Sequence, residues 1–167
     1  MSKKDLPMTT AVRMLRDANV NFTPHFYKYE DKGGTKVAAE SLQVTERETI
    51  KTLVMESDDG SGKKAPLIVI MHGDKEVSTK QLARFIGVKT VSPASEQAVT
   101  KYTGYIPGGV SPFGTKQKLP VYVESTIFNL SCIYINGGKR GFLVEIDPKI
   151  LKNILPVTEV NVGIAEP

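Results

Sequence analysis

Ile50–His72, IKTLVMESDDGSGKKAPLIVIMH, contains two apolar runs of strand length separated by a polar, glycine-bearing stretch. Ile50–Met55 and Leu67–His72 read as the arms of a hairpin, and ESDDGSGKKAP between them as a long solvated loop. Along the first arm, side chains alternate between faces. Lys51, Leu53 and Met55 share one side, and Ile50, Thr52 and Val54 share the other. A lysine in so apolar a strand has two outlets. It snorkels to solvent at an edge, or it reaches into a polar pocket where its cation can hold a phosphate or a carbonyl.

On the N-terminal side of this hairpin, a helix is expected after Pro7, capped by Thr9 or Thr10, with Ala11, Val12, Leu15 and Ala18 on its inner face. Val20, Phe22 and Phe26 then mark an extended segment interrupted by Pro24, and Lys36–Leu42 reads as a short helix. Thr45 with Glu48 has capping-box spacing, with room for only a brief turn before the strand.

Beyond the hairpin, Ser78 with Gln81 opens a helix whose apolar face is Leu82, Ala83, Phe85 and Ile86, and Gly87 stops it. Ser92-Pro93 is expected to open another helix, running through Ala98, Val99 and Tyr102 to Gly104. GYIPGGVSPFGTKQKLP (104–120) has four glycines and three prolines, too many for a regular element. Val121–Glu124 reads as a strand, and Ser131–Asn136 with Arg140–Ile146 as a hairpin turning at Gly137-Gly138. Asp147-Pro148 starts a last helix that buries Ile150, Leu151, Ile154 and Leu155. Without a regular strand–helix–strand alternation, the pattern favours a mixed α+β fold, and 167 residues fit a single domain.

Composition narrows the function. At 40% hydrophobic and 24% charged, the chain can bury a core, and it has no apolar run long enough to span a bilayer. MSKKDLPMTT lacks the apolar stretch of a secretory signal, so a cytoplasmic protein is expected, with no membrane partner. One cysteine and two histidines exclude a disulfide framework and leave little for a metal cage, so neither a metal nor an organic cofactor is expected. The net charge of +4 is unevenly placed. Gln97–Val144 carries Lys101, Lys116, Lys118, Lys139 and Arg140 against Glu124 alone, while the remainder has equal numbers of each sign. Such a stretch is either an uneven solvated surface or one that meets a phosphate backbone.

No familiar catalytic constellation is present: no GxSxG, no HExxH, no CxxC and no phosphate-binding glycine motif. His25 and His72 stand outside any motif, and Cys132, in SCIYI, reads as a small packed hydrophobe. GGVSPFG (108–114) is either a plain loop or one whose backbone N–H groups hold a carbonyl or a developing oxyanion. NGGKRG (136–141) is likewise a turn with two cations, or part of a site.

Four segments in fixed order carry a resemblance: TTAVRMLRDANVNFTPHFYKYE (9–30), IKTLV (50–54), GYIPGGVSPFG (104–114) and IYINGGKRGFLVEI (133–146). Over about residues 8–155 the chain resembles the YbaK family of freestanding aminoacyl-tRNA deacylases, relatives of the editing domain of bacterial prolyl-tRNA synthetases. The resemblance implies a curved, barrel-like sheet packed by helices, and hydrolysis of mischarged tRNA, chiefly cysteine on tRNA for proline. It assigns Lys51 to the 3′-terminal adenosine or the ester, and the Gly108, Gly109, Val110, Ser111 and Pro112 loop to the reacting carbonyl. Tyr27 and Thr52, with Asn136, Gly137 and Gly138, are placed around the amino acid. Lys101, Lys116, Lys118, Lys139 and Arg140 would face the acceptor stem, and prolyl-tRNA synthetase is a possible transient partner.

Two positions depart from the family pattern. Asn136 stands where cysteine-specific members have serine, and Leu143 where an aspartate is expected, with Glu145 the nearest acid. Both border the implied pocket, so alanine or another amino acid remains an alternative substrate. A tRNA- or nucleotide-binding module without hydrolysis, or a small-molecule sensor, is the other reading. The missing catalytic triad is compatible with the implied reaction, because the ester is already activated and a cysteine thiol can attack its own carbonyl to release a thiolactone. The protein then needs mainly to position the ester and stabilise the oxyanion.

Overall fold

In the computed structural model, which describes residues 6–167, the chain begins α1 (Thr10–Asp17), β1 (Thr23–Phe26), α2 (Gly34–Leu42), β2 (Lys51–Asp58), β3 (Lys64–Met71) and β4 (Lys75–Val77). It continues α3 (Thr79–Ile86), β5 (Thr90–Pro93), α4 (Glu96–Thr103), β6 (Val121–Glu124) and a 3-10 turn over Ser125–Asn129. The last elements are β7 (Ile133–Lys139), β8 (Phe142–Ile146), α5 (Lys149–Ile154), β9 (Val157–Val160) and β10 (Gly163–Ala165). This is the mixed α+β class the pattern predicts.

The hairpin of β2 and β3 is the centre of a five-stranded sheet in the order β5-β2-β3-β6-β9. Its alternation sorts two cores. Ile50, Val54, Ile68 and Ile70 face the larger one, shared with α1, β7, β8 and α5. Met55, Leu67, Val69 and Met71 face a smaller one, closed by Leu82 and Ala83 of α3. Burying each such side chain contributes about 1.5–3 kcal/mol, so a one-residue slip of the hairpin would exchange the two cores and is strongly disfavoured.

A second sheet, β1-β8-β7, is antiparallel throughout, and β4 pairs with β10 alone. The two larger sheets meet where the Ile50 N–H donates to the Tyr134 carbonyl (2.8 Å) and the Tyr134 N–H to the Glu48 carbonyl (2.9 Å). The Thr45–Glu48 capping box holds this junction. The Thr45 N–H donates to Glu48 Oε1 at 3.0 Å, and the Glu48 N–H returns to Thr45 Oγ1 at 3.3 Å.

The helix caps follow the sequence at Thr9, Ser78, Gly87 and Gly104. Four expectations are corrected. Ser92-Pro93 belongs to β5 and opens no helix, which Ser95 caps instead. The proline is tolerated because β5 is an edge strand, where a missing N–H breaks no inner ladder. Ala18 caps the end of α1 and is exposed, and half-buried Met14 packs on the core from that helix. Phe85 points out of α3, 56% exposed, with its edge against Tyr122.

The fourth correction concerns the second hairpin, which turns at Arg140-Gly141, not at Gly137-Gly138. The two glycines form a bulge, after which pairing resumes at Lys139↔Phe142. Tertiary contact decides this. Thr9, having capped α1, donates its hydroxyl to the Gly137 carbonyl (2.6 Å), and Tyr105 and Thr9 occupy the space a side chain at Gly138 would need.

Candidate active site

Where the sheets diverge, a cavity of about 500 Å³ opens between β2, the loop over 107–110 and the β7–β8 hairpin. On one edge, β5 pairs with Met55–Asp58 and β7 reaches only Ile50, so among the described residues Lys51–Leu53 have no strand beyond them, and Ile50–Leu53 line the cavity from both faces. Ala38, Val110 and the buried Leu143 add to its apolar wall. Tyr27, Tyr29, Thr35, Thr49, Asn136 and Arg140 also border it.

Of the residues the sequence singles out, Lys51, Thr52, Tyr27, Gly108, Val110, Asn136 and Arg140 meet at this cavity. Gly109 supports it from behind. Its N–H donates to the Ile106 carbonyl (2.9 Å), and a side chain there would lie 2.9 Å from the Arg140 nitrogen. Ser111 is fully buried and accepts from the Phe113 N–H (3.2 Å), while Pro112 is buried beside it. Gly137 and Gly138 shape the bulge without lining the wall.

The side chain of Lys51 is mostly buried, and a backbone carbonyl takes its cation. It borders the cavity, and its ammonium donates to the Lys75 carbonyl at 2.8 Å, with a Glu166 oxygen at 3.7 Å. Thr52 differs: its Oγ1 is buried and has no hydrogen-bond partner among the described residues. The phenol of Tyr27 is held above its ordinary range, first by burial and then by the nearby Tyr29, so it remains a neutral donor at physiological pH.

Asn136 uses its whole amide. Its Oδ1 accepts from the Gly138 N–H (2.6 Å) and the Lys139 N–H (3.1 Å), and its Nδ2 donates to the Gly108 and Lys139 carbonyls, both at 3.3 Å. The residue that departs from serine therefore clips the glycine loop to the hairpin. Leu143 puts a buried alkyl group where the family pattern places a carboxylate. The nearby acid, Glu145, is engaged with His25 at 2.8 Å.

Tyr29 is the site residue that sequence reasoning missed. Its ring edge fills the space a side chain at Gly108 would occupy, and Gly108 itself has φ +87°, a backbone open mainly to glycine. The Arg140 guanidinium carbon lies over that ring, 4.9 Å from its centroid, and its Nε–H donates to the Pro107 carbonyl at 2.9 Å. Nothing in FYKYE (26–30) distinguishes Tyr29 from Tyr27 before the hairpin is folded against it.

The cations of the basic stretch all reach solvent. Lys101, Lys116, Lys118, Lys139 and Arg140 are all exposed, and the Lys116 N–H ties its loop to the end of α4 through the Thr103 carbonyl (3.0 Å). Glu124, the one acid there, is 2% exposed, and its two oxygens accept the Val162 and Gly163 N–H groups, each at 2.8 Å. His72, also fully buried, donates its Nδ1–H to the Arg47 carbonyl (2.9 Å), which leaves Nε2 to accept from the Thr126 hydroxyl (2.7 Å). Burial is the main cause that lowers its pKa, so it is a neutral strut beneath the turn that leads into β2.

Strand β2, the glycine loop and the β7–β8 hairpin thus surround one cavity. The model of the aminoacyl-tRNA editing domain matches residues 30–154, and the chain belongs to that family. It is 31% identical over 153 residues to EbsC of Enterococcus faecalis, a proposed Cys-tRNA(Pro)/Cys-tRNA(Cys) deacylase, and the match covers 91% of both chains. It is 28% identical over 108 residues to the proline–tRNA ligase of Burkholderia multivorans, covering 65% of this chain and 19% of that enzyme. A solved structure described as a proposed trans-editing enzyme for prolyl-tRNA synthetase shares the fold, with a TM-score of 0.77 at 20% identity over 98% of this chain and all of the other.

Proposed function

We propose that this chain removes a wrong amino acid from tRNA, with cysteine on tRNA for proline as its leading substrate, by positioning the aminoacyl ester in the cavity between β2 and the glycine loop. One observation carries the reading. Beside a mostly apolar cavity, the hydroxyl of the lining residue Thr52 is buried with no partner among the described residues. Such a group costs about 1–3 kcal/mol, which a polar atom of the bound aminoacyl group would offset.

The roles follow from what each group has free. The Gly108 N–H makes no hydrogen bond among the described residues and is a loop donor available to a developing oxyanion, whereas Gly109 already donates to Ile106. Lys51 keeps ammonium protons beyond the one on the Lys75 carbonyl, with Glu166 a looser partner at 3.7 Å, and we assign them to the terminal ribose or the ester. Tyr27 contributes a neutral phenol. With cysteine as the acyl group, its sulfur attacks the carbonyl carbon, the ester C–O bond breaks, and the ribose oxygen leaves with the thiol proton. With other amino acids, water takes the place of the thiol. The exposed lysines after Gln97 face the acceptor stem, and prolyl-tRNA synthetase is the transient partner that the family resemblance implies.

The test is a panel of charged tRNAs, cysteine and alanine on tRNA for proline foremost, followed for both binding and loss of the ester. Release of cysteine faster than alanine, as thiolactone, supports the substrate and its thiol-assisted route. Salt-sensitive binding with no ester loss from any charged tRNA overturns the deacylase in favour of a binding module.

A further inference from the structure

Arg140 is placed by its structure in a way that a plain phosphate contact does not require. Its neighbour Lys139 is an exposed cation that bonds the site only through its backbone. Arg140 is docked instead. Its Nε–H is fixed on the Pro107 carbonyl at 2.9 Å, and its guanidinium lies over the Tyr29 ring. Tyr29 is locked in turn by Gly108, whose missing side chain leaves room for the ring edge. The result is a planar cation at the cavity rim, held over an aromatic ring, while Arg140 as a whole remains exposed. Ile106, next to Pro107, leaves a large apolar side chain 51% exposed on the same loop.

Unpaired bases are recognised by stacking on aromatic rings and on arginine planes, whereas base-paired stems are met through their phosphates. We propose that the Arg140 guanidinium, backed by Tyr29, is the platform on which the unpaired 3′-terminal base of tRNA stacks. Because Tyr29 abuts Gly108 and Arg140 holds Pro107, the platform and the Gly108 N–H form one rigid unit. A base seated on it fixes how far the attached ester reaches into the cavity. The inference takes its ligand from the deacylase reading and assigns that ligand's terminal base a place.

The experiment measures binding of uncharged tRNA with its complete 3′ end against the same tRNA lacking the terminal adenosine. The native protein is expected to prefer the complete tRNA by about tenfold, the scale of one base stacked on a planar side chain. Arg140→Lys keeps the charge but not the plane, so it should remove most of that preference and leave the salt dependence unaltered. Tyr29→Leu should do the same, while Tyr29→Phe retains the preference. This pair keeps the test decisive if Arg140→Lys fails to fold. Equal binding of both tRNAs by the native protein, or an Arg140→Lys variant that weakens both equally, overturns the platform. Failure of the deacylase reading is a separate outcome. Charged tRNAs that keep their ester, bound with the terminal preference intact, would break that reading and leave the platform standing.

Discussion

The two walls of the cavity are made differently. The loop-and-hairpin wall is closely hydrogen-bonded: Asn136 uses both donors and both acceptors, Arg140 holds Pro107, and Gly109 donates to Ile106. The β2 wall is a regular strand that keeps spare polarity, in the Thr52 hydroxyl, unpartnered among the described residues, and the remaining protons of Lys51. Irregular backbone needs those bonds to hold a shape, whereas a strand is shaped by its own ladder and can leave side chains uncommitted. Substitutions on the β2 wall should therefore cost activity without stability, and those on the loop wall should cost both.

Lys51→Ala tests that contrast most severely. Deacylation should fall by about two orders of magnitude or more, the scale of losing one positioned donor, while the thermal midpoint shifts little. An active, folded variant would remove Lys51 from the reaction. Asn136→Ala should lower stability by about 1–2 kcal/mol in urea unfolding and reduce turnover together, because two loops lose their clip. Unchanged stability would show that the loop wall needs no such tie.

Thr52→Val has opposite signs on the two axes. Removing an unpartnered buried hydroxyl at nearly constant volume should leave the protein as stable or about 1 kcal/mol more stable, while activity drops about tenfold. A clear loss of stability would mean that the hydroxyl already has a partner in the free protein.

The smallest expected effect concerns the support under the β2 wall. His72 has a folded pKa below its unfolded value near 6.5, so the unfolded chain binds more protons between the two values. The stability it contributes is fully present above pH 6.5 and is lost as pH falls towards the folded value. Unfolding measured from pH 7.5 down to 5 should show that slope, and His72→Gln should flatten it. A slope that persists in the variant would assign the pH dependence elsewhere.

Much of this was legible in the residues. The period-two runs of Ile50–His72 located the central hairpin and sorted its faces, and the caps at Thr9, Ser78 and Gly87 needed only local chemistry. Lys51, Gly108 and Asn136 could be singled out because each breaks a local rule: a charge in an apolar strand, glycine where a loop is crowded, a departure from a motif. The strands β4, β9 and β10 were not legible, being three or four residues each and stable only through partners far away in the chain. The Gly137-Gly138 bulge was misread as a turn because its shape is set by Thr9 and Tyr105, both remote in sequence.

By itself, then, the order of residues determined the fold class, the two arms of the main hairpin and the motifs that carry the resemblance to the editing domains. Periodicity, capping and close-approach glycines act over a few neighbouring residues. Only the tertiary structure decided which polar atoms at the site are free. Whether a hydroxyl, an ammonium or an amide is committed depends on which distant carbonyl the fold brings within 3 Å of it. That separated Thr52, which waits for a partner, from Asn136, which has all of its own.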